Sequence, residues 1–214
     1  MNHQGKISLP VIKRLPRYYR YVSDLMRTGV TTVSSSELAS ILGTTASQVR
    51  QDLNCFGGFG QQGVGYNVEA LTGELEKLLF STCSLSTIVI GGGRLGRTIS
   101  EFICKEVQGF SLDAIFDTSP QKIGTDIAGL IVLDVATLTG FCKQHHPQVA
   151  VLCIPPESTA ALVPDLRELG VKGFWNFSHH DLSTDIPGIA VENVHLGDSL
   201  GSLGFRVRNS QCSK

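Results

Sequence analysis

The ten residues "TIVIGGGRLG", 87–96, restrict the fold of this chain more than any other stretch. A β-branched run breaks into Gly91-x-Gly93-x-x-Gly96 and resumes as the helical pattern Leu95, Ile99, Phe102, Ile103, which reads as strand, tight turn and helix. "LDAIFD" adds a second strand ending at Asp117, 21 residues after Gly96. The alternation continues through "AGLIVL", a helix near 134–143, "VAVLCIP", a helix near 157–168, "VKGFWNF" and "IAVENV". That rhythm predicts a doubly wound parallel sheet. Ligands of such sheets sit at the strand ends, so "IPP" at 154–156 and "NFS" at 176–178 fall at the expected pocket mouth.

The residue types suit a dinucleotide. Gly91 permits the turn, Gly93 lets backbone approach a pyrophosphate, and Gly96 lets helix pack on strand. The helix N-terminus offers N–H groups and a positive dipole to phosphate. Asp117 stands where a carboxylate accepts from both ribose hydroxyls, and its charge disfavours a 2′-phosphate, so NAD is expected over NADP. The same frame serves other nucleotides in some proteins, coenzyme A among them. Hydride-transfer chemistry also needs an acid or base near the substrate, and no substrate domain follows. His179 and His180 lie in the polar turn "SHHDLSTD" and read as a solvated loop, so no catalytic residue is expected.

A dinucleotide unit that begins this late leaves a front end to explain. Residues 1–66 hold seven Lys/Arg against three Asp/Glu, whereas 67–214 hold eleven against sixteen. The basic front suggests an anionic partner, with nucleic acid first, although a solvated basic face has the same composition. Ile12, Leu15, Tyr19, Val22 and Met26 mark one buried helix face, closed by Gly29, and Pro16 should start or kink that helix. In "VSSSELASILGTTASQVRQDLNCFG", Ser34 with Glu37 forms a capping box before Leu38, Ile41 and Leu42, and Gly43 ends the helix. Thr45 with Gln48 forms a second box before Val49, Leu53 and Phe56. Helix, short glycine turn and helix make a helix-turn-helix, with Ser47, Gln51 and Asn54 outward and Gln48 and Arg50 on the flanks. Arg suits guanine and Gln suits adenine. "FGGFGQQGVGY" then reads as a β-ribbon, the wing of a winged helix. Val68, Leu71, Leu75, Leu78 and Leu79 form one more helix, and the domain boundary falls near Ser84.

Three observations bound the remainder. The six cysteines form no C-x-x-C pair and no ligand cluster with His, so they read as reduced, mostly buried small side chains, with no metal. No run of 18 apolar residues and no apolar leader occurs, so a cytoplasmic protein is expected. Leu196, Leu200, Leu203 and Val207 suggest a final apolar helix that Gly197, Gly201 and Gly204 weaken, each by about 1 kcal/mol, so it should need another subunit to dock on.

Together these segments resemble the Rex family of redox-sensing transcriptional repressors, over about Ile7 to Val207. The resemblance rests on "KRLPRYYRYV", "SSSELASILGTTASQVRQDL", "FGGFGQQGVGYNV", "GGGRLGR", "FDTSPQKIG", "IPPESTA", "GVKGFWNFS" and "VENVHL". It implies an α/β chain with a winged-helix DNA-binding domain at 1–84, a Rossmann NAD(H)-binding domain at 85–194, and a swapped dimerisation helix and tail at 195–214. It implies a homodimer on a palindromic double-stranded operator, released by NADH. Carried over by position, Gly91, Gly92, Gly93, Arg94, Leu95 and Gly96 would hold pyrophosphate and Asp117 the adenosine ribose, while Ile123, Pro155 and Asn176 would line adenine or nicotinamide. Thr45, Ser47, Gln48, Arg50, Gln51 and the wing residues Gly63 and Tyr66 would meet DNA.

The departures matter as well. Gln51 stands where the family commonly has Lys, and Gln61 and Gln62 replace a basic pair, which implies weaker phosphate contact and an altered operator. Phe102 lacks a hydroxyl that the family often carries, and His195 stands where Asp is common, opposite Arg20 in the resemblance. An altered or lost nucleotide switch is therefore one alternative, and a small NAD-dependent enzyme is another.

Overall fold

A computed structural model describes residues 7–56, 60–61, 65–80, 83–184 and 186–211. The chain forms two compact units, Met1–Cys83 and Ser84–Lys214.

In the first unit, α1 (Leu9–Arg27) precedes β1 (Thr32–Val33), α2 (Ser35–Leu42), α3 (Ala46–Asn54), β2 (Gly60–Gln61), β3 (Gly65–Asn67) and α4 (Val68–Leu79). The short strands pair antiparallel in the order β1-β3-β2. Helix-turn-helix plus this sheet is a winged helix. α1 buries Val11, Leu15, Tyr18 and Val22, not the expected stripe: Ile12 and Met26 are exposed and Tyr19 is half-buried. Both stripes fit a 3.6-residue period, and Tyr18 is drawn inward by a buried partner described below. The helix starts seven residues before Pro16 and continues past it. Ser34 and Glu37 form the full capping box, and Gly43 closes α2 in the left-handed conformation at φ 65°. Leu38 and Ala39 carry the α2 core contact while Ile41 stays exposed. Leu38, Val49, Leu53, Val68, Leu71 and Leu75 join the α1 stripe in one core.

The second unit holds β4 (Leu85–Ile90), α5 (Arg94–Glu106), β5 (Phe110–Asp117), β6 (Asp126–Ile127), β7 (Leu130–Asp134), α6 (Leu138–His145), β8 (Val149–Leu152), α7 (Pro156–Glu168), β9 (Gly173–Asn176), β10 (Ala190–Asn193) and α8 (Leu196–Gln211). The sheet order is β10-β9-β8-β4-β5-β7-β6, parallel except for β6. α6 and α7 cover one face through Leu138, Cys142, Val163 and Leu166, against Ile88, Ile90, Phe116 and Leu152. On the other face Ile103 of α5 packs on Val89, Ile115, Val132 and Val151. The chain leaves β4 toward β5 on one side and returns to β8 on the other, so the strand order reverses at β4/β8, where such sheets open a crevice. The "AGLIVL" segment holds a turn before its strand: Ala128 and Gly129, both at positive φ, turn the chain from β6 into β7, which runs antiparallel to β6 and parallel to β5. The helix expected from residue 134 begins as a 3₁₀ turn, Val135–Thr137. α8 forms as predicted, with Leu196, Leu200, Leu203, Phe205 and Val207 all exposed in the single chain.

Candidate functional sites

The recognition helix α3 begins at Thr45, whose hydroxyl accepts from the Gln48 backbone N–H at 3.1 Å. Val49, Asp52 and Leu53 face inward, and Thr45, Ser47, Arg50, Gln51 and Asn54 are exposed. Arg50 donates to the Ser35 hydroxyl at 2.9 Å, which holds its guanidinium beside the start of α2. Its charge also pulls against the burial that raises the Tyr66 hydroxyl pKa.

Beneath this face lies a fully buried carboxylate. Asp52 accepts from Arg14 Nε at 2.6 Å, Arg14 Nη2 at 2.8 Å, Tyr18 Oη at 2.8 Å and Gln48 Nε2 at 2.8 Å. Four donors fill the four acceptor positions of a carboxylate. Burial raises the Asp52 pKa, but Arg14, Tyr18 and Gln48 outweigh it and hold the group below its usual range. The same burial and the same carboxylate push the Tyr18 hydroxyl well upward. The network clamps α1 to α3 and changes two sequence readings. The second capping box is half formed, because the Gln48 amide turns to Asp52 and not back to Thr45. Gln48 is thus engaged inside the unit. Tyr66 is 5 % exposed and its ring belongs to the core, and Phe56 packs against the same core. Gly63 and Gln62 lie outside the described residues.

The second unit carries a cleft of about 580 Å³ at the ends of β4, β5 and β8. Gly91 leaves β4 at φ 102°, and a Cβ there would stand 2.4 Å from the Cys153 carbonyl oxygen. A Cβ on Gly96 would lie 1.7 Å from the Gly91 carbonyl oxygen. Only glycine fits either position without moving backbone. Gly93 precedes α5, whose N-terminus no side chain caps, and Lys122 Nζ hangs 3.7 Å from where a Gly93 Cβ would stand. Asp117, 7 % exposed, accepts from Ser119 N at 2.8 Å, Gly92 N at 2.7 Å and Lys122 Nζ at 3.0 Å. Burial raises its pKa, but these three donors outweigh that and hold it low, so the group is a carboxylate at neutral pH. Three of its four acceptor positions are taken in this structure, one of them by the half-exposed Lys122. Lys122, which sequence reading missed, also pairs the charge expected to repel a 2′-phosphate. The donor set fits a dinucleotide: a close-approach turn, an uncapped helix N-terminus, a cation and an ionised carboxylate lie in one cleft.

The other nominated residues separate. Gly91, Gly93, Asp117 and Pro155 line the cleft. Gly92 is buried with its N–H given to Asp117, Gly96 is buried under the turn, and Arg94 and Leu95 are exposed on the first turn of α5. Ile123 and Asn176 do not line it. Asn176 donates to the His180 carbonyl at 2.7 Å and to Asn193 Oδ1 at 2.8 Å, and accepts from Ser178 N at 3.0 Å and Ser178 Oγ at 2.7 Å. All four of its hydrogen-bonding positions are spent, three on the loop at Ser178 and His180 and one on Asn193 at the end of β10. Cys153 lines the cleft, but burial pushes its thiol up to about 12, so it is not a nucleophile at neutral pH. Phe102 is 38 % exposed on α5, and Arg20 is exposed on α1. His195 Nε2 meets Asp181 Oδ1 at 2.6 Å, and this bond raises the imidazole pKa despite partial desolvation. His195 therefore has its own carboxylate partner, which the spacing in sequence did not indicate. Among the described residues no group of His, Cys, Asp or Glu could hold a metal, and no helix is long and apolar enough to cross a membrane.

Comparison with known proteins agrees with both halves. Residues 6–54 match the family described as putative DNA-binding protein N-terminus, and residues 84–180 match the CoA binding domain family. The redox-sensing transcriptional repressor Rex of Thermoanaerobacter pseudethanolicus is 42 % identical over 214 residues, covering 100 % of this chain and 95 % of the relative. That of Clostridioides difficile is 44 % identical over 206 residues, covering 96 % of this chain and 97 % of its own. Among solved structures, RSP in complex with β-NAD⁺ and operator DNA superposes with a TM-score of 0.87 at 42 % identity, over 98 % of this chain and 96 % of that one. RSP in complex with β-NADH gives 0.87 at 40 % identity, over 98 % of each chain. With a capped helix-turn-helix, a glycine-turn cleft and full-length identity of this order in one chain, the protein belongs to the Rex family of redox-sensing transcriptional repressors.

Proposed function

We propose that this chain is a DNA-binding transcriptional repressor that senses the NADH/NAD⁺ ratio and leaves its operator when NADH binds. The observation that carries this reading is the pairing, in one chain, of an exposed polar recognition-helix face with a cleft built from Gly91, Gly96 and Asp117. Relatives named as redox-sensing repressors, and RSP crystallised with NAD⁺ and operator DNA and with NADH, support it. It is a regulator, not an enzyme, and it acts in the cytoplasm, where an operator is found.

In this reading residues 1–84 meet DNA through Thr45, Ser47, Arg50, Gln51 and the wing around Gly63, with Gln48 and Tyr66 supporting that surface from within. Residues 85–194 hold NAD(H). Gly93, Arg94 and Leu95 present backbone N–H groups to pyrophosphate, Gly91, Gly92 and Gly96 shape the turn, Asp117 takes a ribose hydroxyl, and Pro155 borders the ligand. Residues 195–214 make a homodimer by docking the exposed stripe of α8 on a partner, and the two-fold symmetry suits a palindromic operator. Arg20, Phe102 and His195 belong to the switch. By linkage, NADH must favour the DNA-free form by the same factor by which DNA weakens NADH binding. Fluorescence anisotropy on the chain's own upstream DNA at fixed salt, titrated with NADH and then NAD⁺, tests this. Release by micromolar NADH, with NAD⁺ far weaker, is expected. Operator binding indifferent to both nucleotides overturns the sensing half.

A further inference from the structure

One side chain of the cleft has no role in the scheme above. α7 turns Ser158, Ala161, Leu162 and Asp165 toward the cleft, the i, i+3, i+4 and i+7 positions of one helical face. Among the lining residues the only acids are Asp117 and Asp165, and the only cation is Lys122. Lys122 is committed to Asp117 at 3.0 Å. The Asp165 carboxylate is exposed and has no hydrogen-bond or ion-pair partner among the described residues.

A bare carboxylate in the wall of a site for a ligand with two phosphate charges is unfavourable by simple repulsion, unless the ligand offers it a donor. The groups lining the cleft order the ligand along it. Phosphates belong at the glycine turn and the α5 N-terminus, and the ribose belongs at Asp117. The next group along the ligand's covalent chain is the base. Thr118 and Val135 line the cleft on the segments that follow β5 and β7, with Ile154 and Leu162 supplying apolar surface. Adenine presents one strong donor on its edge, the N6 amino group.

Resting on the NAD(H) reading, we propose that Asp165 selects adenine by accepting a hydrogen bond from its N6 amino group. It is a specificity residue of the ligand site. Charge makes the distinction: a carboxylate accepts from an amino group and repels a carbonyl. Hypoxanthine differs from adenine at that position by carrying O6 in place of the amine, so its lone pairs would face the carboxylate.

Nicotinamide hypoxanthine dinucleotide in its reduced form is therefore the probe, compared with NADH by isothermal titration of the full chain. A charge-assisted bond at a partly exposed rim leads to an expected preference for NADH of about tenfold in the wild type. Asp165→Asn can accept from an amine or donate to a carbonyl, and should narrow the ratio to about twofold. Asp165→Ala should weaken NADH and bring the ratio near one. An unchanged ratio across wild type and both variants overturns the assignment while leaving the nucleotide site intact. A wild type that binds neither nucleotide overturns the site reading itself, and the assignment with it. Asp165 is exposed and unpartnered, so neither variant threatens the fold.

Discussion

Replacing Asp52 with Asn tests the clamp under the recognition helix at nearly constant volume. The carboxylate receives four hydrogen bonds in a fully buried position. An amide offers one oxygen with two acceptor positions and turns an NH₂ group toward the remaining donors. Two of the four bonds are lost, and each bond to a charged group contributes roughly 1.5–3 kcal/mol. Breaking a buried pair from one side costs about 3–5 kcal/mol by direct precedent, and the 30 % exposure of the Arg14 side chain places this case near the lower end, about 3 kcal/mol. The assay exploits the single tryptophan, Trp175, which lies in the second unit. Urea unfolding followed by far-UV circular dichroism sees both units, whereas Trp175 fluorescence sees one. Asp52→Asn should move an early dichroism transition to lower urea and leave the fluorescence transition in place. Operator affinity should fall with it, because Arg50 and Gln51 ride on the same helix. A stability loss under about 1 kcal/mol would refute the argument, since it would mean the four bonds are replaced by water at no cost.

Other outcomes follow from the same structure. Arg50→Ala should weaken operator binding and lower the log–log salt slope by about 1, read from anisotropy at several salt concentrations, if the guanidinium meets phosphate. Gln51→Lys should shift selection from random DNA toward guanine at one position per half-site; an unchanged consensus means residue 51 reads no base. Gly96→Ala puts a methyl 1.7 Å from a carbonyl oxygen and should lower the midpoint seen by Trp175 fluorescence by at least about 1–3 kcal/mol in stability terms. His195, raised by Asp181, contributes stability that is full below the ordinary histidine pKa of about 6.5 and is lost as pH rises through the folded value. A proton NMR titration should find that upward shift, and Asp181→Asn should abolish it.

What could be read in advance was whatever depends on neighbours in the chain. The capping residues Ser34 and Thr45, the turn at Gly91 and Asp117 at the end of β5 are local signals, and each stands where spacing put it. Asp52 was not legible because its donors lie 38, 34 and 4 residues away, and a polar residue within a polar helix reads as solvated. Tyr18 and Tyr19 compete for the same inward position, and only the buried carboxylate decides between them. Lys122 was hidden for a similar reason: one lysine in a turn carries no pattern. The β6–β7 hairpin is poorly marked in the sequence because its turn uses Ala128 at positive φ, where Asn, Asp or Gly is the usual signal. The resemblance places Asn176 at the pocket, whereas its hydrogen bonds hold the loop at Ser178 and His180 and reach Asn193 on β10.

The bare stripe along α8 gives this protein a second variable besides its ligand. A helix that keeps five large apolar side chains in water within one chain, on a backbone loosened by three glycines, gains stability from company. In the proposed dimer its order, and with it the pairing that doubles the DNA contact, depends on chain concentration by mass action. Operator occupancy then rises with the square of protein abundance at low expression and levels off at high expression. The cell's metabolic reading would be scaled by how much of the reader it has made.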